Sequence, residues 1–251
     1  MRALRFELKG ATAFFKKPDV NAYAYFTYSH IHKVALFGLL GAILGLSGYE
    51  QQHESGATFP EFYEVFRQSK ISIVPHGDRG YFAKKIQIFN NTVGYASYEG
   101  LLNVREQWLE HPHWTIYIAD DGGIASSVFE KLAEFMMHFK THYIPYLGKN
   151  DHPATIISPQ WVDLSPINEF YFIDSLFPGE HILCDPEGDI KENTGNKCFF
   201  KELTPVGLRV SDNGYLFRPL ISTNYEIDMD SVMEEDREML YHDEDRVLYF
   251  L

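Results

Sequence analysis

The segment that most constrains the fold runs from Ser29 to Gly48, SHIHKVALFGLLGAILGLSG. From Val34 to Leu46 it carries no charge and no polar side chain. Gly38, Gly41 and Gly45 recur at three and four residues, which puts all three on one face of a helix. Each glycine costs a helix about 1 kcal/mol relative to alanine, so the spacing predicts a compensating close approach of the helix backbone to a sheet. Leu36, Leu39, Leu40, Ile43, Leu44 and Leu46 cover the rest of the cylinder with apolar surface, as in a helix buried in a core or in lipid. The uncharged run is shorter than the roughly 18 to 20 residues that span a bilayer. The segment is predicted as a buried core helix, N-capped by Ser29, with His30, His32 and Lys33 presented at its N-terminal end.

Elements of both periods flank it. Leu4, Phe6 and Leu8 alternate with Arg5, Glu7 and Lys9 as a first strand, and an aromatic loop containing Lys16 and Lys17 leads to the helix. A polar loop from Tyr49 to Phe59 precedes a short helix from about Glu61 to Gln68. KISIVP (70–75) reads as a second strand, and a long hairpin is expected within about 76–112, bending at Asn90–Gly94 and turning at Ser97–Gly100. WTIYIA (114–119) is a short buried strand, and Ala125 to His142 is the second long helix, with Val128, Leu132, Phe135, Met136 and Phe139 three or four apart. The order β–α–β–β–β–α predicts an α+β sandwich of ferredoxin-like type. Residues 1–150 are assigned to it, and 151–251 to a smaller, acidic, β-rich region.

Charge divides the chain the same way. Of the 22 Lys/Arg and 35 Asp/Glu, residues 1–120 hold 12 and 11, a balance of +1, leaving 10 and 24, a balance of −14, for residues 121–251. Any polyanion surface therefore belongs in the first half, and the acidic half faces solvent or a basic partner. The N-terminus has no apolar signal-peptide run, and no segment is long enough to cross a membrane, so a cytoplasmic location is expected. Cys184 and Cys198 form no CxxC pair and are expected as free thiols.

Sequence motifs for chemistry are sparse. His138 and His142 stand at i, i+4 without a neighbouring acid, and the pairs His30/His32 and His111/His113 lack further ligands, so no metal site and no cofactor is assigned. There is no phosphate-loop motif and no GxSxG. A metal-independent ribonuclease needs only a Tyr or His and a Lys near a ribose 2′-hydroxyl, and both types are abundant. RNA recognition asks for aromatics, cations and amides together. The first 120 residues supply them on loops and the hairpin, including Lys84, Lys85, Gln87, Asn90, Asn91, Arg105 and Gln107.

The segments FELKGATAFFKKPDVN, YSHIHKVALFGLLGAILGLSGYE, KISIVPHG, GYFAKKIQIFNNTVGYAS, LLNVREQWLE and YIPYLGKNDHPA occur in that order within residues 1–160. Together they resemble the CRISPR-associated Cas-five family of the RAMP superfamily, and most of all its type I-B subfamily. The resemblance implies a ferredoxin-like (RRM-like) palm with a glycine-rich element and a projecting β-hairpin thumb. It implies a subunit of a type I Cascade complex that caps the 5′ handle of the guide RNA. Implied partners are the guide RNA, the Cas-seven backbone subunit and the large PAM-reading subunit, with target DNA reached indirectly and no membrane. By the same resemblance Lys16, Lys17, Ser29, His30, His32 and Lys33 fall on the palm, and Lys84, Lys85, Asn90, Asn91 and Arg105 in the thumb, as RNA-binding candidates. Type I-C relatives process precursor guide RNA through a Tyr, Lys and His set that includes an adjacent Lys-His pair. No Lys-His dipeptide occurs here, so no catalytic residue is assigned, and an endoribonuclease, with Tyr49 near His53 or the thumb lysines, is the alternative reading.

Overall fold

A computed structural model of the chain describes residues 1–19, 23–77, 80–91, 102–167, 169–185, 187–244 and 246–251. The expected strand alternation is realised in β1 (Arg2–Lys9): Leu4, Phe6 and Leu8 are fully buried on one face, while Arg5 and Glu7 lie on the other. β1 is joined on either side by β6 (His113–Ala119) and β7 (Thr155–Asp163), and β3 (Ile71–Pro75) pairs with β6, giving an antiparallel sheet in the order β3-β6-β1-β7. Two long helices, α1 (Lys33–Leu44) and α4 (Ser126–Met137), complete the β–α–β–β–α–β order of a ferredoxin-like palm. The fold is α+β, as expected. Its fourth strand, β7, lies within the 151–251 segment.

Between β3 and β6 the chain leaves the palm as a hairpin, β4 (Lys84–Asn91) against β5 (Leu102–Glu110), with β2 (Thr12–Ala13) on the far side of β5. This is the expected thumb. Its turn, expected at Ser97–Gly100, and the Asn91 side chain lie outside the described residues.

The core helix differs from expectation at both ends. Ser29 is not its cap: His32 is, accepting a hydrogen bond on Nδ1 from the Ala35 amide at 3.2 Å. Gly45 ends the helix in the left-handed region at φ +77°, a C-cap that favours glycine. The close approach permitted by glycine is to another helix, not to a sheet. A Cβ on Gly41 would stand 2.5 Å from Cβ of Phe62 on α3 (Glu61–Phe66). The loop expected from Tyr49 is partly a helix, α2 (Tyr49–Ser55), capped by Gly48 and Gly56. α4 stops at Met137, and Phe139 takes a positive φ of 52°, so His138 and His142 do not share a helix face.

The remaining strands fold back on the palm. β9 (Phe177–Pro178), β10 (Phe199–Leu208) and β11 (Tyr215–Thr223) form a sheet whose Leu208 and Leu220 join the α1 core. Residues 169–173 are irregular. β12 (Leu240–Asp243) and β13 (Arg246–Tyr249) pair with each other, and β8 (Ser165–Pro166) borders β12. Leu248 and the adjoining Phe250 pack on Ala3, Val74 and Tyr117, the face of the palm sheet opposite the helices. A four-residue helix, α5 (Glu234–Arg237), precedes β12.

Candidate nucleic-acid interface

The sequence-predicted cations do not present an open phosphate-binding row. Lys17 Nζ lies 2.7 Å from Oε1 of Glu202 on β10, and the Ser29 amide donates to Oε2 of the same carboxylate at 2.8 Å. Lys84 Nζ donates to Ser29 Oγ at 2.7 Å, and burial, with Lys17 adding to it, holds this ammonium below its usual range. Glu202 opposes that effect. The structure thus brings Lys17, Ser29 and Lys84 together around an acid supplied 173 residues downstream of Ser29. Lys85 pairs with Glu110 at 3.3 Å.

His30 and His32 are buried rather than presented. His30 accepts from Trp114 Nε1 at 3.4 Å, with Phe82 and Phe200 edge-on to its ring. Phe15, Tyr28 and Tyr215 surround His32. Burial pushes both imidazoles down to about 3, with Lys84 adding to the effect at His30. Both are neutral packing elements at physiological pH. Lys33 turns inward and donates to the Leu251 carbonyl at 2.8 Å; burial lowers its ammonium to about 8, opposed by Asp121. Of these three residues expected at an RNA surface, His30 and His32 are buried and Lys33 is half-buried on the Leu251 carbonyl.

Two predicted cations remain accessible. Lys16 is exposed, its Nζ 3.9 Å from the Tyr25 ring centroid. Arg105 is exposed on β5 opposite Ile88, and Asn90 is exposed further along the same hairpin face. Ile86 and Ile88 are 51% and 55% exposed on that face, so the thumb offers apolar as well as polar surface.

Lys16 stands at the mouth of a cleft of about 620 Å³ that runs along α1, within the size range of small-ligand sites. Its floor is the small-residue side of the helix, with Ala35, Gly38 and Ala42, so a flat group can approach the helix backbone. Tyr49, Tyr143, Tyr146 and Tyr215 form its walls, and Lys149 and Glu106 lie at the thumb end. Lys149 Nζ lies 3.3 Å from both Glu106 oxygens and 2.9 Å from Asp151. Gly148 brings it there: at φ +87° the chain crosses so close to Phe14 that a Cβ would overlap the Phe14 carbonyl oxygen. The Phe14 amide donates to the Leu147 carbonyl at 3.1 Å and locks the crossing. Stacking surfaces, a small-residue floor and the Lys16 ammonium make the cleft chemically suited to an unstacked nucleotide of a single strand.

Sequence reasoning missed Lys149, Tyr143, Tyr146 and Tyr215 as site residues. The basic turn YLGK was the legible signal for Lys149 and Tyr146, whereas nothing local to Tyr215 marks it. Among the described residues no cluster of three or more His, Cys, Asp or Glu side chains is placed to hold a metal ion. No single helix among them is long and apolar enough to cross a membrane.

No family model matches the sequence, and no curated protein matches it. Among solved structures, the chain is similar to one described as a CRISPR RNA-guided surveillance complex, at 10% identity over 90% of this chain and 91% of that one, with a TM-score of 0.51. A CRISPR protein from Archaeoglobus fulgidus aligns over 99% and 98% of the two chains at 10% identity and a TM-score of 0.46. A chain of the type III-B Cmr-beta complex bound to cognate target RNA aligns over 92% and 87% at 10% identity and 0.45. At this identity the likeness is one of fold.

Proposed function

We propose that the chain is a non-catalytic RNA-binding subunit of a type I CRISPR surveillance complex, a Cas-five-like protein of I-B type, working in the cytoplasm. In this reading the palm and thumb hold the 5′ handle of the guide RNA. The Cas-seven backbone subunit and the large PAM-reading subunit are its protein neighbours, and target DNA is met only through the complex. The observation that supports it best is the tyrosine-walled cleft, lined by Lys16 and Lys149, on a ferredoxin-like palm beside a thumb hairpin. The palm candidates Lys17 and Ser29 and the thumb candidates Lys84, Lys85, Asn90 and Asn91 are supporting contacts in this proposal, with Arg105 the accessible thumb cation.

The test is one incubation of purified protein with end-labelled precursor guide RNA in EDTA, read on native and denaturing gels. A native shift with uncut RNA, weakened at least about tenfold by Tyr146→Ala with Lys149→Ala, is the expected result; stacking losses of about 1–3 kcal/mol per base support that size. No shift at about 0.15 M salt, or a shift indifferent to the double substitution, overturns the cleft assignment. A product cut at the repeat boundary makes the chain an endoribonuclease instead.

A further inference from the structure

Tyr25 lies beside the tyrosine-walled cleft without lining it. Beyond the end of β2, it takes the same edge of β5. Its amide donates to the Arg105 carbonyl at 2.9 Å, and its carbonyl accepts from the Gln107 amide at 2.9 Å. That pairing sets Tyr25 directly against Glu106 as a parallel bridge. Residues paired in this way send their side chains to the same face of a sheet and stand about 4.8 Å apart. Glu106 lines the cleft. The Tyr25 ring is therefore carried on the cleft face of the thumb, one strand spacing beyond the cleft wall.

The ring is no part of the core: main-chain bonds fix its backbone, and the residue stays 38% exposed. Lys16 joins the two places. It lines the cleft, and its Nζ lies 3.9 Å from the Tyr25 ring centroid. The segment carrying Lys16 is tied to the one carrying Tyr25 on both sides. The Lys17 amide donates to the Phe26 carbonyl at 2.8 Å, and the Tyr28 amide to the Phe15 carbonyl at 2.9 Å. An accessible aromatic ring and a cation are thus held by main chain next to a cleft that fits one base. Stacking platforms for successive bases of a single strand, with cations along the backbone between them, have this form.

We propose that the RNA site takes two consecutive nucleotides of one strand, the first base in the cleft and its neighbour stacked on Tyr25, with Lys16 on the phosphate that joins them. The inference rests on the cleft reading above and extends it by one nucleotide. The test uses the full chain and handle RNA carrying 5-iodouridine at one position at a time, a base that cross-links on irradiation to the aromatic ring it stacks on. Peptide sequencing then identifies the ring. One position is expected to cross-link to Tyr49, Tyr143, Tyr146 or Tyr215, and the adjoining position to Tyr25. Tyr25→Leu is expected to weaken RNA binding at least about fivefold with the melting temperature unchanged, whereas Tyr25→Phe binds like the wild type. The two-nucleotide site is overturned if Tyr25 gives no cross-link, or gives one only from a position that does not adjoin the cleft nucleotide. An affinity indifferent to Tyr25→Leu overturns it as well. In each of these cases a cross-link to a cleft tyrosine leaves the cleft reading standing. Absence of any cross-link to a cleft tyrosine overturns the cleft reading, and this inference with it.

Discussion

The two histidines at the entrance to α1 show how a residue type suggestive of binding can be committed to packing. His30 and His32 each take up a proton near pH 6.5 when the chain is unfolded, but only near 3 when it is folded. Their contribution to stability is therefore complete above pH 6.5 and is lost as pH falls from there toward 3. The slope is about 1.4 kcal/mol per pH unit for each group. Urea unfolding at pH 7, 6 and 5 is expected to show this loss. His32→Asn keeps an acceptor for the cap and is expected to remove about one proton's worth of the slope; an unchanged slope sinks the assignment. Glu202 makes the complementary case, a carboxylate on which Lys17 and the Ser29 amide converge, with Lys84 beyond the serine hydroxyl. Glu202→Gln keeps an acceptor for the amide but leaves the two ammonium groups uncompensated. It is expected to cost about 1–3 kcal/mol of stability and to steepen the salt dependence of RNA binding by about one unit of slope. Denaturant titration and salt-dependent filter binding read the two effects separately.

At the scale of elements, the glycines of α1 divide three tasks that their common spacing did not distinguish. Gly45 terminates the helix, Gly41 admits Phe62, and Gly38 opens onto the cleft, where an added Cβ would meet only the edge of Phe62 at 4.0 Å. Gly41→Ala is expected to lose about 1–3 kcal/mol by overpacking, despite a gain of about 1 kcal/mol in helix propensity. Gly38→Ala is expected to keep that gain, and Gly38→Leu to fill the cleft floor and lower RNA affinity at least about tenfold with little loss of stability. Thermal melts and RNA titrations of the three variants separate the roles, and equal destabilisation at 38 and 41 contradicts them. The order of elements was legible because alternation in β1 and three-four spacing in α1 and α4 are local signals. The partner of the glycine face was not, since spacing describes a face and says nothing of what lies against it. The early end of α4 was hidden in the same way: the apolar spacing continues to Phe139, while the backbone has already turned at its positive φ. Of the candidate site, Lys16 and the YLGK turn were visible, but the cleft itself is assembled from segments near residues 15, 35, 49, 146 and 215 that no local pattern connects.

For the whole molecule, the sequence division into a nearly neutral and an acidic half conceals how the halves interlock. Asp243 of β12 reaches back to Arg5 at 3.3 Å and accepts from Tyr117 at 2.7 Å, Glu202 neutralises the palm, and Leu208 and Leu220 complete its core. Many first-half cations are thereby spent on internal carboxylates, so the +1 balance of residues 1–120 overstates what an RNA phosphate can find. Binding through Lys16 and Arg105, with Lys149 already held by Glu106 and Asp151, in a chain of net charge −13, is expected to give a salt slope of only about 1.4 for a single strand at about 0.7 per phosphate contact. Affinity must then rest mainly on stacking against the tyrosines, a contribution that salt barely touches. Lys16→Ala with Arg105→Ala is expected to lower the slope by about 1.4 units, whereas Lys84→Ala with Lys85→Ala lowers it by less, because each of those lysines, like Lys149, already has a partner. The decisive measurement is the affinity for handle RNA between 50 and 300 mM salt for the three proteins. A wild-type slope of six or more, falling mainly in the Lys84/Lys85 variant, would mean that RNA displaces the internal partners and that the thumb, not the cleft, carries the charge contacts.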